Sequence, residues 1–290
     1  MKQRKITARR SVSAFIDILG FADTTLAVNS PDDLISLEKK VRLVQETFEY
    51  NSKDDLTRKN HSIYRKSVLA FSDCVVVNLP LRSSITDSQG TFDPIMSELV
   101  SLAWAQCTCV FEGIFLRGGI SLGWWYRSGA RLVSSSLVHA YKQEKKARMP
   151  ILALTPELFE FLSKHKHRSF YAKDIDPIRS TFEKYDDPKT KETIYFLDYL
   201  RIWLGSVDWN TSRKDYEEYL ASLPEKRQEI MNRGYERNVR KSLVFHKLAI
   251  EKALVEAKSD QVRKKYEWLQ IYHDSVAKRY TRAKDCLFEG

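Results

Sequence analysis

The stretch Ala14-Phe15-Ile16-Asp17-Ile18-Leu19-Gly20-Phe21 decides the fold, read together with Leu69-Ala70-Phe71-Ser72-Asp73-Cys74-Val75-Val76-Val77. Each places one aspartate inside or at the end of an apolar, β-branched run that reads as a central strand. A carboxylate costs several kcal/mol to bury unpaired, so such a position needs a cation, a set of hydrogen bonds or a shifted pKa. Two such aspartates on two strands imply two carboxylates converging on a metal. Asp17 is followed at once by a short glycine-containing turn that can offer several backbone N–H groups to phosphate oxygens. Carboxylates beside a phosphate-cradling turn point to metal-assisted chemistry on a nucleotide.

Working outward, 290 residues suffice for one ordinary domain plus a small domain or helical extension. A hydrophobic fraction of 43% with 12% aromatics is that of a globular chain. No apolar run approaches the roughly 20 residues of a membrane span. The basic start Met1-Lys2-Gln3-Arg4-Lys5 is followed by polar and basic residues rather than an apolar segment. The sequence therefore predicts no signal peptide, no membrane partner and a cytoplasmic location. Cys74, Cys107, Cys109 and Cys286 form neither a disulfide framework nor paired zinc clusters, and read as reduced thiols. The net charge of +10 is spread along 213–284, where Lys and Arg alternate with Glu and Asp. Interspersed signs describe a solvated helix face. A positive field also serves an anionic substrate such as a nucleoside triphosphate, and no nucleic-acid-binding motif accompanies it.

In chain order, 1–10 reads as a basic arm and 11–21 as the first strand and turn. Ser30 is an N-cap with Pro31 behind it, and Leu34, Leu37, Val41, Val44 and Phe48 recur at helical spacing over 32–50. Residues 51–60 read as a loop, 62–71 and 74–79 as a hairpin, and 83–91 as a polar turn. A helix follows over 94–113, then strands at 115–125 and 131–133, the second preceding a helix at 136–147 opened by serines 134–136. The paired glycines Gly118 and Gly119 predict a bulge or a close backbone approach. Further strands are expected at 151–154, 170–173 and 194–197, with a helix at 156–164. The order βαββαββαβ predicts an α+β sandwich with a mostly antiparallel sheet flanked by helices. From 213 onward only helical patterns remain, at 243–257 and 262–283. The predicted domains are thus a catalytic domain over 11–209 and a helical extension over 210–290.

Three motifs carry a resemblance. Phe15-Ile16-Asp17-Ile18-Leu19-Gly20-Phe21, Phe71-Ser72-Asp73 and Leu116-Arg117-Gly118-Gly119-Ile120-Ser121-Leu122-Gly123 resemble, in order, the signature strands of class III nucleotidyl cyclases. The resemblance covers about residues 11–200. It implies a class III cyclase-like fold, with Asp17, Asp73 and the backbone carbonyl of Ile18 as ligands of two Mg²⁺ or Mn²⁺ ions per site. Hard cations of this kind take oxygen ligands. It implies that the amides of Leu19, Gly20 and Phe21 contact the triphosphate and that Arg117 is a structural residue. It further implies a homodimer with two sites, each built across the interface.

The departures narrow the expectation. At the positions where purine-specific members place a lysine and an aspartate to read the base, this chain has Leu69 and Arg131. In place of the family's Asn and Arg on the third helix stand Val138 and Lys142, and Lys142 retains the positive charge without the guanidinium fork. His139 and Tyr141 beside it read as packed or surface residues. The missing purine readers favour a smaller base. They imply a closer likeness to the pyrimidine cyclases of Pycsar anti-phage systems, which make a cyclic pyrimidine nucleotide (from UTP ahead of CTP) for a separate effector protein. A purine cyclase with divergent base readers and a catalytically silent dimerisation module are the alternatives. The retained pair Asp17 and Asp73 weighs against the silent module.

Overall fold

The computed structural model describes residues 7–49 and 63–288. They form two compact units, the first within Met1–Cys109 and Ile114–Asp198, the second within Val110–Gly113 and Tyr199–Gly290. The expected loop at 51–60 and the first residue of the expected strand at 62 lie outside the described residues.

In the first unit, β1 (Arg9–Ile18) lies between β3 (Cys74–Pro80) and β4 (Leu116–Ser128), antiparallel to both. The remaining strands are β2 (Ser67–Phe71), β5 (Arg131–Ser134), β6 (Leu152–Leu154), β7 (Phe182–Asp186) and β8 (Thr193–Leu197). The sheet order is β2-β3-β1-β4-β6-β8-β7, with β5 paired to the outer end of β4. Among the described residues β4 and β6 pair in parallel and the other pairings are antiparallel. The unit is therefore α+β with a mostly antiparallel sheet, as the strand pattern predicts.

Both faces of β1 are covered, so its side chains alternate between two packed layers rather than between core and water. Val12 and Ala14 share one face with Val77, Leu79 and Ile120, gathered around Ile95, Leu99 and Leu102 of α4 (Phe92–Phe111). That helix is long and apolar enough to cross a membrane by length and composition, a feature the sequence reading did not count; its apolar residues are packed on the sheet. Each such aliphatic side chain contributes about 2 kcal/mol on burial. The other face, with Ser13, Phe15 and Asp17, lies under α5 (Ser135–Ala147).

The close fit of α5 explains the glycines of β4. A Cβ on Gly119 would sit 1.9 Å from the Ala140 carbonyl oxygen, and one on Gly123 2.6 Å from Ser135 Oγ. Register runs unbroken through Gly118 and Gly119, so the pair serves close approach and makes no bulge. Beneath the helix start, buried hydroxyls bond in series: Ser13 Oγ to Asn78 Oδ1 (3.1 Å) and to Ser136 Oγ (2.7 Å), and Ser136 Oγ to Ser134 Oγ (2.9 Å). Ser134 caps α5 by accepting from the Leu137 N–H.

After β1 come α1 (Phe21–Leu26) and α2 (Pro31–Glu49). Ser30 and Asp33 cap α2 reciprocally, and Leu37, Val44 and Phe48 are buried at the predicted spacing. Three expectations fail. Residues 63–66, expected as the start of a strand, are a helical turn and coil, and β2 begins only at Ser67. The polar segment predicted as a turn contains α3 (Ser84–Gln89), because Ser83 and Thr86 close a capping box. The expected strand at 170–173 is instead part of two 3₁₀ turns, Lys166–Phe170 and Lys173–Ile175. Arg168 holds this segment coiled by binding both oxygens of Asp176 and the Ser163 carbonyl. The chain then passes α7 (Pro177–Thr181), and the edge strand is β7; the helix expected near 156–164 is α6 (Pro156–Ser163).

The second unit contains α8 (Tyr199–Gly205), α9 (Arg213–Ala221), α10 (Pro224–Glu256) and α11 (Asp260–Ala277). The predicted helical pattern at 243–257 is thus the second half of a 33-residue helix. Gly234 lets the Trp209 backbone approach α10, since a Cβ there would lie 2.4 Å from the Trp209 carbonyl oxygen. Cys107, Cys109 and Cys286 are buried, Cys74 is partly exposed, and no disulfide joins them.

Candidate metal and nucleotide site

Register builds the site. Asp17, next to last in β1, stands opposite Cys74 on β3 and Arg117 on β4. Asp73 occupies the tight turn between β2 and β3, after Ser72 at φ +53°. One carboxylate oxygen from each aspartate and the Cys74 sulfur lie within 4.8 Å of one another. The Cys74 thiol contacts Asp17 Oδ1 at 3.8 Å and Asp73 Oδ1 at 3.7 Å. Arg117 engages the other oxygen of Asp17, donating to Oδ2 from Nη2 at 2.8 Å and from Nε at 3.1 Å. The Oδ1 side of Asp17 is thus turned toward Asp73 and Cys74.

Electrostatics show that this cluster is short of positive charge. Burial, then the hydrogen bond with Asp73, push the Asp17 carboxyl up to about 6, against the opposing pull of Arg117. Burial, then the two neighbouring carboxylates, push the Cys74 thiol up to about 12. Two carboxylates this close repel by about 3 kcal/mol at an effective dielectric of about 20. A divalent cation would remove that cost, and the two carboxylates are oxygen donors of the kind that Mg²⁺ or Mn²⁺ takes.

The other predicted residues divide into those gathered here and those elsewhere. Ile18 ends β1 next to Asp17. The Leu19 N–H is not available to phosphate, because it donates to the Phe115 carbonyl at 2.8 Å and extends the sheet by one bond. The cradle is thereby reduced to Gly20 and Phe21. Gly20 takes the left-handed conformation at φ +77° that opens α1, a conformation glycine adopts without strain. Leu69 pairs with Val76, two residues beyond the Phe71–Cys74 pair, and so shares the sheet face of Cys74 and Asp17.

Arg131 pairs with Ser128 at the far end of β4 from Arg117, about 37 Å away along the strand at a rise of about 3.4 Å per residue. Lys142 is exposed on α5, where Ala140 and Glu144 turn toward the sheet and Lys142 away from it. Within one chain neither reaches Asp17. His139 is exposed, and Tyr141 sets its ring edge-on to Phe15 at 5.2 Å.

Sequence reasoning missed two participants. Cys74 read as an ordinary thiol, although its place directly after Asp73 puts it opposite Asp17. Glu144 read as part of the charged run Lys142-Gln143-Glu144-Lys145-Lys146, yet its side chain is 2% exposed and its Oε1 lies 2.7 Å from Arg117 Nε. The signal was its position four residues after Ala140, on the helix face that meets Gly119.

No protein-family model and no curated protein matches the chain. Among solved structures it is similar to the adenylyl cyclase CyaB from P. aeruginosa, at 13% identity and a TM-score of 0.41 over 67% of this chain and 96% of that one. It is similar to the catalytic core of a rhodopsin-guanylyl cyclase with converted specificity, in complex with ATPαS, at 13% identity and a TM-score of 0.42 over 67% and 98%. It is also similar to the guanylate cyclase domain of RhGC from Catenaria anguillulae in complex with GTP, at 11% identity and a TM-score of 0.40 over 65% and 96%. Likeness this distant carries no weight for residue roles, which rest on the geometry above.

Proposed function

We propose that this chain is a metal-dependent nucleotidyl cyclase of the class III type, forming a 3′,5′-cyclic pyrimidine monophosphate and pyrophosphate from UTP, or secondarily CTP. The observation that carries this reading is the convergence of Asp17 and Asp73 beside the left-handed Gly20 turn. Two half-buried carboxylates face each other there, and the Arg117 guanidinium grips the far oxygen of Asp17.

Asp17 and Asp73, with the Ile18 carbonyl, would hold the cations. When bound, these supply Lewis acidity at the ribose 3′-hydroxyl and the triphosphate. The Gly20 and Phe21 amides face the phosphates at the start of α1. Leu69 offers the base an apolar surface on the same sheet face in place of a purine-reading lysine, which supports the smaller base. Lys142 and Arg131 point elsewhere in their own chain, which supports a site completed by a second copy, with Lys142 of that copy meeting the charge on the transferring phosphate. Trp124, Val133, Val138 and Tyr141, on β4, β5 and α5, are large apolar residues left 42–56% exposed, as a self-associating face requires. The signalling role, with a separate effector in anti-phage defence, rests on the motif resemblance.

The test is incubation of purified protein with each of the four nucleoside triphosphates and Mn²⁺, products being assigned by mass. Cyclic UMP or cyclic CMP as main product is expected. Cyclic AMP or cyclic GMP alone would remove the pyrimidine assignment, and no product from any triphosphate would leave a silent dimerisation module.

A further inference from the structure

We infer that Glu144 is a positioning residue of the cation site, acting through Arg117 on Asp17. The inference rests on the reading of Asp17 and Asp73 as cation ligands. Glu144 sits in the last turns of α5, where the helix lies directly on β4. A carboxylate so nearly enclosed is expensive unless a cation faces it. The lysines of its own helix are occupied elsewhere or solvated: Lys146 pairs with Glu192 at 2.6 Å, Lys145 lies over the Tyr141 ring at 4.4 Å, and Lys142 is exposed. Arg117 meets Glu144 at 2.7 Å, and the same guanidinium donates two hydrogen bonds to Asp17 Oδ2.

One positive charge therefore stands between two carboxylates. Glu144 offsets the charge that Arg117 would otherwise place on Asp17, and a divalent cation at Oδ1 meets an aspartate that is gripped but not neutralised. With the Glu144 charge deleted, the whole guanidinium charge opposes the incoming cation. Partners of a metal ligand typically change metal affinity 10- to 100-fold when removed. The sequence reading assigned Arg117 a structural role and gave Glu144 none; the geometry makes them a single device joining α5 to the end of β1.

The experiment is Mn²⁺ binding to the full chain, measured by loss of the free-ion electron paramagnetic resonance signal, in wild type, Asp17→Asn, Glu144→Gln and Arg117→Met/Glu144→Gln. Glu144→Gln is expected to bind Mn²⁺ about tenfold more weakly. Its turnover at saturating Mn²⁺ should stay within about threefold of wild type, and only the Mn²⁺ concentration needed should rise. The double variant removes the buried carboxylate and its partly exposed partner cation together, so no charge is left stranded against α5. It is expected to recover Mn²⁺ affinity to within about threefold of wild type, which a residue that merely held α5 in place would not produce. Affinity within twofold of wild type in Glu144→Gln, or no recovery in the double variant, overturns the inference. Wild-type protein with no Mn²⁺ binding that Asp17→Asn abolishes overturns the metal reading itself, and this inference with it.

Discussion

Two buried polar clusters, one in each unit, make opposite use of the same physics. In the helical unit, Tyr199 O–H donates to His246 Nε2 (2.8 Å), His246 Nδ1 meets His273 Nδ1 (2.9 Å), and His273 Nε2–H donates to the Cys286 carbonyl (2.7 Å). Only one placement of protons satisfies this chain. The carbonyl can only accept, so His273 carries its proton on Nε2 and accepts at Nδ1 from His246. Both rings are neutral, and burial holds both below the usual histidine range, with His273 adding to the effect at His246. Every donor has an acceptor, and nothing is left over for a ligand. At the end of β1 the accounts do not close: two carboxylates and a thiol face one another, and Arg117 reaches one oxygen. A satisfied buried network stabilises, whereas one short of charge marks a place where something binds.

The comparison can be broken most decisively at Asp73. Asp73→Ala is expected to lower turnover at least a thousandfold, about 4 kcal/mol of barrier, while the melting temperature holds or rises because like-charge repulsion is relieved. Residual turnover within tenfold of wild type would show that the cluster is not catalytic. In the helical unit the same kind of deletion should act the other way. His273→Leu strands the Cys286 carbonyl and the His246 Nδ1–H, and about 3 kcal/mol of stability should be lost in chemical denaturation. A smaller effect is expected from Tyr199→Phe, which removes one bond at the end of the chain and should cost about 1 kcal/mol.

Acid should separate the units by sign. The folded pKa of the histidines is depressed below the unfolded value of about 6.5, so their contribution is present above that pH and is lost as pH falls toward the folded values. Asp17 is raised from 3.8 to about 6, so its contribution is present below about pH 4 and is lost as pH rises through about 6. Taking metal-free protein from pH 7 to pH 5 should therefore loosen α10 and α11 and tighten the β1–β3 region. Region-resolved hydrogen exchange, corrected for intrinsic rates, reads both. A common direction in the two units would contradict the assignment of protons.

The legibility of the chain follows from the same contrast. Asp17 and Asp73 could be found because a carboxylate in a β-branched run violates the local pattern, and such violations collect at functional sites. The α+β alternation and the helix over Pro31–Glu49 were legible because capping and periodicity are local. Glu144 was illegible because its neighbours are lysines, and only the Gly119 contact turns it inward. The segment around 170–173 was misread because its aromatic residues suit a strand, whereas the Arg168–Asp176 pair, eight residues apart, coils it. His246 and His273, 27 residues apart on two helices, meet only through tertiary packing.

The central claim is that the end of β1 and the β2–β3 turn together hold divalent cations. Hydrogen exchange with and without Mn²⁺, at pH 7.5 on the full chain, tests it most directly. The account predicts slowed exchange across 14–21 and 69–77, absent in Asp17→Asn, with α10 and α11 unchanged. Exchange unaltered by Mn²⁺ in 14–21 and 69–77, or slowed there equally in Asp17→Asn, would contradict it.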